Sequence, residues 1–157
     1  MEMKHALQYN HLYLKFAVIM AISFVIMYLV MFLNVAKFEH IFNSLTRIYM
    51  TTLMIATMAI SMLLFMWKMY PDKKVNYGII GFSTIVYFGT LYLLRTQTPI
   101  NDVQYMKAMI PHHSSAIMTS SKVTFKDPKV KKLAQDIIEA QEREIAPMKQ
   151  MMERLEN

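Results

Sequence analysis

Two histidines, His112 and His113, stand side by side in the stretch MKAMIPHHSSAIM, which runs from Met106 to Met118. Met106, Met109 and Met118 surround them, and Pro111 comes directly before them. Farther along, PMKQMM supplies Met148, Met151 and Met152. Imidazole and thioether groups are both uncharged metal donors. Thioethers without thiolates select soft cations, Cu(I) above all with Ag(I) beside it, and imidazole extends the range to Cu(II). The chain has no cysteine, so thiolate sites and disulfides are excluded. A competing reading is equally physical. Methionine is a flexible filler of apolar interiors, and a core histidine can simply be half of a satisfied polar pair.

The elements that carry these residues bear on the choice. Asn101 or Asp102 can cap a helix reaching about Thr124, and Asp127 can cap a second one starting at Pro128. At about 100° per residue, Met106, Met109, Ile110, His113 and Ile117 share a face of the first helix. A stripe from Val130 to Leu155 on the second is apolar except at Gln141 and Glu144. A buried carboxylate costs several kcal/mol unless it finds a partner. Folding the hairpin at about Lys126 brings His113 level with Ile138–Gln141, Met109 with Arg143 and Glu144, and Met106 near Met148. The polar interruptions of one helix then meet the histidine of the other. Met106, Met109, His113 and Met148 are the foremost ligand candidates, followed by His112, Met118, Met151 and Met152. Glu144 and Gln141 fit the role of orienting an imidazole through its other nitrogen. Pro111 and Pro147 each remove a helix hydrogen bond, freeing the carbonyls of Lys107 and Arg143, so both helices are expected to bend at a similar level.

Met109, Ile110, His112, His113, Ala116 and Ile117 follow an M-I-x-H-H-x-x-A-I pattern, with Met118 directly after it. Leu133, Ala134, Ile137, Ile138, Gln141, Glu144, Ile145 and Met148 follow L-A-x-x-I-I-x-x-Q-x-x-E-I-x-x-M. Together, over about residues 101–155, they resemble the bacterial domain-of-unknown-function family number 305. That resemblance implies a ferritin-like four-helix bundle in the bacterial envelope, outside the cytoplasm and often alongside copper and silver handling. It attaches no firm enzymatic reaction. Ferritin di-iron sites need Glu-x-x-His pairs, and none occurs in residues 95–157. An oxygen-activating enzyme is therefore disfavoured, and no catalytic residue is assigned. One hairpin supplies two helices, so a second copy would complete four, which makes a homodimer the natural unit.

Upstream the chain changes character. Apolar stretches at 14–33, 48–67 and 75–94 are each long enough to cross a bilayer as a helix. The expected organisation is all-α: a three-span membrane anchor (1–94), a linker (95–100) and a helical-hairpin domain (101–157). The first stretch is too long for a cleaved signal peptide and lacks a small-residue cleavage site. Basic residues mostly flank the spans, which favours a membrane over nucleic acid as partner. Lys4, Lys15, Lys68, Lys73 and Lys74 fall on one side, against Lys37, Arg47 and Arg95 on the other. The positive-inside rule then puts the N-terminus in the cytoplasm of a bacterial inner or plasma membrane and the hairpin outside. Met50, Met54, Met58, Met62 and Met66 form a four-residue ladder in the second span, with Met20, Met27 and Met31 on the first. Helix packing explains such a ladder best, with a Met-lined metal transporter as the weaker alternative. The leading expectation is a membrane-anchored protein that sequesters Cu(I) or Ag(I), or hands it to other metal-handling envelope proteins. Its main rival is a dimeric helical scaffold without metal.

Overall fold

The computed structural model describes the backbone of residues 2–156 and the side chains of residues 11–156. Met1 and Asn157, the outer bounds of the expected domains, lie outside the described residues, as does the side chain of Lys4. The described chain is all-helical, with no strand. Five α-helices run over Glu2–Val30 (α1), Leu45–Phe65 (α2), Lys73–Thr96 (α3), Asp102–Lys122 (α4) and Pro128–Glu156 (α5), with a short 3-10 turn at Phe38–His40. They form two compact units. One holds the chain up to Leu29 together with Ile48–Thr98, and the other holds Val30–Arg47 together with the chain from Pro99 onward.

In the first unit, His11–Val30, Leu45–Phe65 and Lys73–Thr96 are long and apolar enough to cross a membrane. Their ends differ by a few residues from the expected spans, and capping groups account for the starts of α2 and α3. Ser44 Oγ accepts from Arg47 N and starts α2 early. Asp72 Oδ1 accepts from the amides of Lys74 and Val75 at the start of α3. Gln97, at a φ of 54°, closes α3 in the left-handed region, so the first two residues of the expected linker are still helical.

Small residues mediate the approach of these helices. Ala56, Ala59 and Thr51 are buried, while Ile22, Val25, Ile26 and Leu29 point outward, as lipid-facing residues do. Met20, Phe16, Ala59, Leu63 and Tyr70 form the core, and Met58, Met62 and Met66 of the ladder pack against it. Those three ladder side chains thus take part in helix packing. At one end, the Tyr13 hydroxyl donates to the Asp72 carbonyl at 3.0 Å and reaches Asn76 Oδ1 at 2.9 Å. Fully buried Asn76 donates in turn to the Tyr70 carbonyl at 2.9 Å. Enlarging Ala59 to leucine should overpack this seam and destabilise the first unit by about 1–3 kcal/mol, read as a lower unfolding temperature in detergent.

In the second unit α4 and α5 pack antiparallel. Asn101 Oδ1 accepts from Gln104 N at 2.9 Å and starts α4. Asp127 Oδ1 accepts from the Lys129 amide at 2.7 Å, ahead of Pro128 in the first position of α5. Pro111 and Pro147 sit inside helices that continue through them. Ile110, Met106, Ile117, Ile145 and Met152 make the shared core, flanked by Phe42, Val103, Ile138 and Met148.

Phe42 comes from the loop between α1 and α2, which the sequence marked only by its basic residues. That loop is folded onto the hairpin. Ala36 N donates to Ser114 Oγ at 2.8 Å, and Leu45 N donates to Gln104 Oε1 at 2.9 Å. Asn34 Nδ2 donates to Ser115 Oγ at 3.1 Å, and Lys149 pairs with Glu39 at 3.2 Å.

Candidate functional site

On α4, residues four apart lie one above the other. Tyr105, Met109 and His113 therefore form a column, and α5 sets Glu144, Pro147, Met148 and Met151 against it. With Arg143, these side chains line a cavity of about 350 Å³. Five of the nine candidate ligands meet here: Met109, His113, Glu144, Met148 and Met151.

His113 is the best-fixed of them. It is 6% exposed. Its Nδ1 lies 3.0 Å from the Met109 carbonyl, which can only accept, so Nδ1 carries a hydrogen. Nε2 lies 2.6 Å from Glu144 Oε2. A contact that short between nitrogen and carboxylate contains a proton. Both ring nitrogens are therefore satisfied, and the nitrogen that could face a cation is the one Glu144 occupies. Glu144 thus holds one ring nitrogen and the Met109 carbonyl the other. Gln141, one turn before Glu144, has its Oε1 buried with no partner among the described residues.

The remaining candidates lie elsewhere. Met106 and Met152 are each 5% exposed and belong to the hairpin core. His112 is exposed, with its ring edge-on to His113 at a centroid distance of 6.1 Å. Met118 is half-buried near the end of α4 and does not line the cavity. Sequence reasoning passed over Tyr105, whose place four residues before Met109 was the available signal. Among the described residues no group of three or more His, Asp or Glu side chains is arranged to hold a metal. Among the side-chain donors that line this cavity, thioethers are the most numerous. One imidazole with a fixed tautomer, one carboxylate and three methionines suit a soft monovalent ion better than Zn²⁺ or Mg²⁺.

Comparison with known proteins agrees with the hairpin pattern. Residues 91–154 match the family described as a domain of unknown function, DUF305. An uncharacterized protein of Acanthamoeba polyphaga mimivirus is 37% identical over 111 residues, which cover 69% of this chain and 71% of that protein. That stretch is longer than the hairpin, so the likeness reaches into the helices before it. No solved structure matches. With the family pattern lying over α4 and α5 and a relative that shares most of its length, the chain belongs to the DUF305 family.

Proposed function

We propose that this is a membrane-anchored protein whose hairpin binds a soft monovalent cation, Cu(I) or Ag(I), and sequesters it or hands it on. The observation that carries this reading is the convergence of His113 with Met109, Met148 and Met151 around one cavity. His113 would supply an imidazole nitrogen to the cation, and Met109, Met148 and Met151 would supply thioethers. An imidazole must be unprotonated to bind a cation, so affinity weakens in acid. The thioethers do not titrate, so the weakening is partial.

The membrane proposed is a bacterial inner or plasma membrane. The charge bias of the loops supports a cytoplasmic N-terminus and an extracytoplasmic hairpin. The stripe of exposed Val130, Leu133, Met151 and Leu155 on α5 supports a second copy as partner, the two hairpins together making four helices.

A second reading has its own support. The complete hydrogen bonding of His113 suits a structural pair that fixes the register of α4 on α5. Loading the purified full chain with Cu(I), followed by desalting and metal analysis, separates the two. Wild type is expected to retain copper, and a His112→Ala/His113→Ala variant to retain much less. Failure of wild type to retain any copper leaves only the scaffold.

A further inference from the structure

His40 is the second buried histidine of the hairpin unit, and the metal reading does not use it. It is 5% exposed and sits at the end of the 3-10 turn in the α1–α2 loop. We infer that residues 34–45 are an acid-released latch on α4, with His40 as the group whose protonation opens it. This inference does not depend on metal binding at the cavity around His113.

The hydrogen bonds define the closed state. Ser114, fully buried on α4, accepts from Ala36 N at 2.8 Å and lies 2.9 Å from His40 Nδ1. In the tautomer that carries its hydrogen on Nε2, that hydrogen faces the Glu39 carboxylate at 3.4 Å and Nδ1 accepts from the serine hydroxyl. A second ring proton turns Nδ1 from acceptor to donor, so the serine must redirect its own hydrogen. That proton also places a charge in a buried position.

The surrounding charges push the same way on balance. Lys37 and Glu39 of the loop and Glu142 and Lys149 of α5 line a cavity of about 350 Å³ with His40, and α4 contributes the uncharged Ser114 and Ile117. Burial lowers the His40 pKa from its ordinary value, helped by Lys149 and Lys37 and opposed by Glu39. The sign follows from linkage. In the open state His40 titrates near the ordinary value of about 6.5, and in the closed state lower. The stability of the closed latch is complete above the open-state value and is lost as pH falls through the closed-state one. Glu39 responds to a different range. Its hydrogen bond and attraction to Lys149 hold its carboxyl below the usual carboxylate value, so that ion pair persists in mild acid. Opening would uncover the Ser114 and Ile117 face of α4, beginning one residue after His113.

Hydrogen exchange on the full chain in detergent tests this, with rates corrected for the intrinsic pH effect. Between about pH 7.5 and about pH 5, the Ala36 and Leu45 amides should lose protection, while those in mid-α4 and mid-α5 hold theirs. A His40→Gln variant keeps an acceptor for Ser114 and cannot charge, so it should stay protected at both pH values. Unchanged wild-type protection at the lower pH overturns the latch, as does an equal acid loss in the glutamine variant. Should glutamine leave the loop open at both values, the wild-type imidazole titration decides. His40 must then titrate with the same midpoint as the loss of protection, and a separate midpoint overturns the proposal.

Discussion

A chain in which Met109, Met148 and Met151 are all leucine should hold Cu(I) at least about a hundredfold more weakly than wild type, a loss of about 2.7 kcal/mol. Competition against a coloured Cu(I) chelator measures it. Leucine keeps the volume and apolarity of methionine and removes only the sulfur, so helicity and unfolding temperature should change little. The loss should appear both at neutral pH and at about pH 5, because thioethers carry no proton to compete with the metal. The matched control is Met106→Leu/Met152→Leu. Those two side chains lie in the hairpin core rather than around the cavity, so their replacement should leave affinity intact. If the triple variant binds as tightly as wild type, the cavity methionines are filler, and the scaffold reading stands.

The largest effect on stability is expected at Ile110, which is completely buried between α4 and α5. Ile110→Ala should cost the hairpin unit about 2–5 kcal/mol, from lost transfer energy plus the cavity left behind. Limited proteolysis in detergent reads it. Cleavage within α4 and α5 should accelerate strongly, while the apolar helices α1 to α3 survive. Uniform cleavage of wild type and variant would mean that this core contributes far less than its burial indicates.

Much of this architecture is legible in the residues because local chemistry announces it. Three long apolar stretches, Asn101 as a cap and Asp127 before Pro128 place most helix ends to within a few residues. Helical periodicity with a short turn put His113 level with Ile138–Gln141, about one turn short of Glu144, and the side chains of His113 and Glu144 do meet. The register also separates the methionines, although a helical wheel alone grouped Met106 with Met109. One faces the core and the other the cavity, a distinction of roughly sixty degrees within a single turn. The α1–α2 loop was not legible. It has no periodicity, and its hydrogen bonds go to Ser114, Ser115 and Gln104, polar residues that suit a solvated helix face equally well. The available hint was Ile41 and Phe42, two large apolar residues in a short connection.

That loop bears on how the chain is made. It emerges during synthesis before α2 and α3, yet Ser114 and Gln104, which satisfy its backbone amides, are translated only after both apolar helices. Ala36 and Leu45 must therefore wait, solvated, for α4 to appear. The hairpin can reach its final packing only after α1, α2 and α3 have all been synthesised, and a soluble fragment starting at Pro99 would lack Phe42, His40 and the ion pair from Glu39 to Lys149. Such a fragment would present bare the face of α4 that the intact chain covers, and its tendency to self-associate would report on the missing loop rather than on the natural assembly.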